Sequence, residues 1–394
     1  MKNSPFEISV LSSCSDRKLR SLLVELLTVS RISMVDIYLL RRVDLDAFGH
    51  KATALEFLKQ DSNVGAAVDW LLKQFAEAEG IAAKNGIDAD RIMVPALATF
   101  LPEIAWSDKA AAEDAITGLV NAVRIGHRLR EEHRMEFPIV EMVCGTTVEH
   151  RRRALLEGEY VGATDHWDKR WKEAIIEYPA DSKRELILDR LRLVRRRLFD
   201  AGIHDWALAL ELEPGSYVLD DESAVRHMFE DLLTRSKYKI LRKHVGLNFD
   251  IAHMKIAGVS DSAIEDFRRW MIHSHVCDHP GMHTRDQVLG TWDPVDRSNA
   301  GFYGPLKSFT EAPDVAGREG LPWSRSVAIE LEGCNRIMWI HDSVSALRHM
   351  QRALSKPKRD TDDSEWLLDT PHEGVDAPKT DPVIDRKNRR PLED

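Results

Sequence analysis

Short apolar runs alternate with longer amphipathic segments along the chain, and the two periods predict different elements. Runs over Phe6–Leu11, Met34–Leu40, Arg91–Leu97, Phe137–Val143, Trp206–Leu212, Val245–Asp250, Met271–Val276 and Ser326–Leu331 read as eight strands. Between them, apolar residues at helical spacing predict helices over Val64–Lys84, Ala110–Glu132, Lys183–Ala201, Glu222–Ser236 and Ser343–Leu354. Strand followed by helix, repeated, implies parallel pairing through right-handed crossovers. Eight such units in roughly 350 residues fit a closed (β/α)8 TIM barrel better than an open doubly wound sheet.

Two stretches depart from the alternation. Gly145–Ser182 is too long for a simple loop, is rich in charge and carries Trp167 and Trp171, so a helical insertion is expected after the fourth strand. From Lys356 onward the composition turns to Asp, Lys, Pro and Arg with few apolar residues, and a disordered polar tail is expected. The expected organisation is a barrel over residues 1–355, with its insertion at about 145–182, and a tail over 356–394.

Composition narrows the function classes. The 394 residues include 55 basic and 65 acidic side chains, and the net charge of −10 argues against a dedicated nucleic-acid binder. No apolar stretch approaches the roughly 18 residues of a spanning helix, and the N-terminal residues lack a signal-peptide core, so a cytoplasmic protein without a membrane partner is expected. The four cysteines, Cys14, Cys144, Cys277 and Cys334, form no C-x-x-C pair, which leaves neither a disulfide framework nor a thiolate zinc site indicated. Phosphate-loop, dinucleotide, zincin and serine-hydrolase motifs are all missing from the sequence.

Chemistry concentrates at the ends of the last four predicted strands, on the face where a barrel carries its active site. The fifth ends Ala209-Leu210-Glu211-Leu212-Glu213-Pro214-Gly215, and the eighth repeats the pattern as Ala328-Ile329-Glu330-Leu331-Glu332-Gly333. The sixth ends Asn248-Phe249-Asp250-Ile251-Ala252-His253 and the seventh runs Ile272-His273-Ser274-His275-Val276-Cys277-Asp278. Residues two apart in a strand face the same side, so Glu211 with Glu213, or His273 with His275, can both point to the barrel axis. Such groups are costly inside a barrel unless something pairs them, and one divalent cation would satisfy several. Three carboxylates and one imidazole form a hard site suited to Mn2+, Mg2+ or Co2+, with Zn2+ also admitted.

Glu-x-x-x-Gly, Asp-x-x-His, His-x-x-Asp and a closing Glu, in that order, resemble the xylose-isomerase-like TIM barrels, which include sugar isomerases, ketose epimerases, inosose dehydratases and metal-dependent endonucleases. The motifs cover roughly Trp206–Leu354; before Ala201 the likeness is architectural. The resemblance implies Glu211, Asp250, His275 and Glu330 as metal ligands, with Glu211 and Glu330 also moving the substrate proton. It implies His253 as a contact to a substrate oxygen. In the alternative register Glu213 and Glu332 exchange places with the two catalytic carboxylates, and otherwise Glu213 belongs to the substrate pocket. Arg285 is expected to steady a developing oxyanion, and Trp292 to stack on an apolar sugar face. Neither the second nor the third strand end offers the extra histidines of the endonucleases, so a phosphodiesterase is disfavoured.

The expected function is a divalent-metal-dependent isomerase or epimerase acting through an enediolate on a sugar, sugar acid or cyclitol. A lyase or dehydratase on the same barrel and a non-catalytic metabolite-binding protein are the alternatives. The expected partner is a carbohydrate-like small molecule, with a homodimer or homotetramer as the expected assembly.

Overall fold

A computed structural model describes residues 4–355 other than 16, 40, 46–53, 89, 107, 145–179, 214–217, 220, 278–301, 319 and 332–336. Eight parallel strands close into a barrel in sequence order: β1 (Glu7–Leu11), β2 (Met34–Tyr38), β3 (Leu97–Thr99), β4 (Ile139–Val143), β5 (Ala207–Glu211), β6 (Val245–Asp250), β7 (Met271–Val276) and β8 (Ser326–Ile329). The (β/α)8 expectation is therefore met, and β1 pairs with β8 to complete the ring.

Helices wrap the outside: α1 (Leu19–Glu25), α2 (Arg42–Leu45), α3 (Ala54–Leu58), α4 (Asn63–Lys84), α5 (Lys109–Glu131), α6 (Ala180–Asp200), α7 (Glu222–Thr234), α8 (Ile251–Ile256), α9 (Asp261–Phe267), α10 (Tyr303–Glu311) and α11 (Ile337–Leu354). The Asp108 carboxylate accepts the backbone N–H groups of Ala110 and Ala111 at the start of α5, and Asp221 accepts that of Ala224 at the start of α7. Each satisfies donors the helix itself leaves open. Among the described residues, no helix is long and apolar enough to cross a membrane.

The third strand lies later than the pattern predicts. Met93 makes only an isolated bridge to Met34, and the ladder resumes at Leu97. Pro95 stands between them without an N–H to donate, which explains the break. The greater part of the insertion, 145–179, and the whole of the tail lie outside the described residues; the last three positions of the insertion, 180–182, begin α6.

One apolar core joins strands to helices. A second, small one gathers Ala96, Ile139, Ala207, Ala209 and Ile272 near the N-terminal ends of their strands, with Phe137 and Leu321 packed on it. Gly246 allows β6 to approach β7 here, since a Cβ on it would lie 2.5 Å from Ile272 Cγ2 and 2.8 Å from the Trp270 carbonyl oxygen. Toward the C-terminal ends the buried side chains become polar, on the face where a barrel of this kind carries its site.

Candidate metal centre

Strand register brings the predicted residues together. Glu211 pairs with Asn248, which pairs with His273, and one pleat further along Asp250 pairs with His275. Paired residues share a face, so these side chains crowd onto one side of β5, β6 and β7. Glu330 follows the last residue of β8, where its N–H donates to the Val276 carbonyl at 3.1 Å. Asp250 ends β6 and begins α8, and its Oδ1 accepts the His253 N–H at 2.7 Å. That cap places His253 over the cluster.

Glu211, Asp250, His275 and Glu330 each bring a ligand atom within 4.8 Å of the others. They are 3%, 0%, 1% and 8% exposed, so water offers them almost no compensation. His275 turns Nδ1 toward Glu330 Oε2 at 2.8 Å and Glu211 Oε1 at 3.6 Å. His253 Nδ1 donates to the Leu212 carbonyl at 3.1 Å and lies 3.5 Å from Glu211 Oε1.

The charges are strongly interdependent. Burial alone would raise the Glu211 carboxyl, but the imidazoles of His253 and His275 hold it well below the usual carboxylate range. Burial disfavours charge on His275, yet Glu330 and Glu211 hold its imidazole well above the usual range. Burial likewise opposes a charged His253, and Asp250, Glu213 and Glu211 overcome it.

Three carboxylates around one imidazole leave an excess of negative charge that a divalent cation would balance. Glu211 Oε1 and Asp250 Oδ2 are both buried without a hydrogen-bond partner among the described residues. Native interiors seldom leave such atoms open. Donor type, donor number, spacing and open atoms all fit a hard divalent ion.

Three further residues of the interior escape a reading of strand ends. Glu141 lies mid-way along β4, where burial and then the Glu211 charge push its carboxyl well above the usual range. Asp36 lies mid-way along β2 and sits 2.7 Å from His273 Nε2. Asn248, fully buried, leaves both amide atoms without a partner among the described residues. Asp36 and Glu141 were visible in principle, as single charged residues inside the apolar runs Val35-Asp36-Ile37 and Val140-Glu141-Met142. Burial, then Glu141 and Glu211, push the neighbouring Cys144 thiol up to about 12. Arg285, Trp292 and Glu332 lie outside the described residues.

No family model and no curated sequence matches the chain. Solved structures do. The IolI protein, determined with a bound zinc atom, superposes at a TM-score of 0.51 with 12% identity, covering 90% of this chain and 100% of the other. A xylose isomerase domain protein from Alicyclobacillus acidocaldarius matches equally, at 0.51 and 13% identity over 89% of this chain and 99% of its own. The chain shares its (β/α)8 barrel fold with both. At these identities the likeness concerns the fold, and the chemistry rests on the residues of this barrel itself.

Proposed function

We infer that the chain is a divalent-metal-dependent isomerase or epimerase acting on a sugar, sugar acid or cyclitol. The observation that carries this reading is the convergence of four buried ligand side chains from four successive strand ends, two of them with an open carboxylate oxygen. Glu211, Asp250, His275 and Glu330 would hold the ion. Bound there, it would act as a Lewis acid on a substrate carbonyl and the hydroxyl beside it.

The other steps belong to side chains. Glu211 and Glu330 stand three strands apart around the barrel and approach Nδ1 of His275 from β5 and from the end of β8. One takes the proton from the carbon next to the carbonyl, the C–H electron pair passes into an enediolate, and a carboxyl returns a proton. Return by the opposite carboxyl inverts the centre, whereas return by the same group to the neighbouring carbon, with the hydroxyl proton passing to the former carbonyl oxygen, moves the carbonyl. His253, fixed by the Leu212 carbonyl and the Asp250 cap, is placed to hold a substrate oxygen. Glu213, beside it, lines the approach.

The test uses protein stripped with chelator, reloaded with Mn2+, Co2+ or Zn2+, and offered monosaccharides, sugar acids and cyclitols in deuterium oxide. An isomer carrying solvent deuterium is the expected product. Loss of water or an aglycone would instead identify a lyase, and no metal-dependent turnover across the panel would overturn the reading.

A further inference from the structure

One pleat deeper than the candidate ligands lies a polar pair that the proposed reaction does not use. Asp36 and His273 are both 0% exposed. His273 Nε2 is 2.7 Å from Asp36 Oδ2, and its Nδ1 is 2.8 Å from Ser324 Oγ. A carboxylate oxygen only accepts, so His273 Nε2 carries the proton of that bond. The pair is pinned from both sides, and it faces His275. Asp36 Oδ2 is 3.9 Å from His275 Nε2, and the two imidazoles meet edge to face with centroids 5.1 Å apart. Asp36 Oδ1 and His275 Nε2 are both buried without a hydrogen-bond partner among the described residues.

We propose that Asp36, held by His273, is a positioning residue for His275: its carboxylate accepts the Nε2 proton and leaves Nδ1 as the metal-ligating nitrogen. The inference rests on the metal site proposed above. A neutral imidazole has one proton, and a ligating nitrogen cannot carry it, so the opposite nitrogen must. Nδ1 faces Glu330 and Glu211, and Nε2 faces Asp36. Ligating histidines are commonly fixed in this way by a carboxylate on the far nitrogen. The 3.9 Å separation is longer than a hydrogen bond, and its closure on metal loading is what the proposal requires. A second cation between Asp36 and His273 is the weaker account, because two donors at about 2.1 Å from one ion stand roughly 3 Å or more apart.

Long-range 15N–1H correlation on histidine-labelled, Zn2+-loaded wild type tests the tautomer, with His275→Gln assigning the ring. The expected spectrum has His275 protonated at Nε2, bound through Nδ1, and with a slowly exchanging ring proton. Calorimetric competition on Asp36→Asn should then give a Zn2+ affinity about ten- to a hundredfold weaker, with circular dichroism unchanged. Ligation through Nε2 in the wild type overturns the proposal, as does wild-type affinity in Asp36→Asn. Should that variant fail to fold, the wild-type spectrum still decides. A wild type that takes up no Zn2+ overturns the metal site itself, and this inference with it.

Discussion

Glu211 and Glu213 flank one imidazole nitrogen: Nδ1 of His253 lies 3.5 Å from Glu211 Oε1 and 3.8 Å from Glu213 Oε2. The two carboxylates differ in setting, since the Glu211 side chain is 4% exposed and that of Glu213 is 18% exposed. Glu211→Gln should therefore abolish stoichiometric uptake of Co2+, while Glu213→Gln retains the metal and raises KM. Elemental analysis of both variants beside the wild type checks this, and the reverse result would move the ligand role to Glu213.

Glu330 is bonded to His275 at 2.8 Å and carries half of the proposed proton transfer. Glu330→Gln should lower turnover by roughly 10²–10⁴-fold, the usual worth of a general acid or base. Deuterium exchange at the substrate carbon, followed by NMR on metal-loaded protein, separates loss of proton transfer from loss of binding.

Gly246→Ala places a methyl group against Ile272 and the Trp270 carbonyl. The overpacking should cost about 1–3 kcal/mol in urea unfolding. Shortening Ile272 in the same chain should recover only part of this, because the carbonyl contact is backbone.

His244 stacks on Trp206 at 4.4 Å between centroids, and its Nδ1 is 2.9 Å from the Trp206 carbonyl oxygen. Burial pushes its imidazole below the ordinary range. The folded state thus binds this proton more weakly than the unfolded chain does. Its contribution to stability is complete above the ordinary imidazole pKa and is lost as pH falls through the interval between that value and the lower folded one. His244→Phe, which keeps an aromatic stack, should show a smaller fall in Tm between pH 7 and pH 5.

The second half of the barrel was legible because its strands are buried on both faces and end in charged residues of fixed spacing. Val245–Asp250 and Met271–Val276 coincide with β6 and β7 residue for residue. β3 was not legible, since apolar content alone does not show where a proline interrupts a ladder. At the site, strand-end spacing brought out Glu211, Asp250, His253, His275 and Glu330, which the fold brings together. It passed over Asp36 and Glu141, whose neighbours in sequence are apolar; the partner of Asp36 comes from β7 across the ring and that of Glu141 from the adjacent β5. Contacts across a barrel axis have no sequence period, so only closure of the ring discloses them.

Asp250 divides its two oxygens between duties: Oδ1 holds the first turn of α8, and Oδ2 points into the ligand cluster. Rotation of that carboxylate cannot serve one end without disturbing the other. If an ion fills the cluster as proposed, the amide of His253 should report it, through a change in its chemical shift and solvent exchange without any substrate present. On the proposed reading, the group placed to hold a substrate oxygen is set in position by the same carboxylate that would hold the ion, so loss of Asp250 should disturb both.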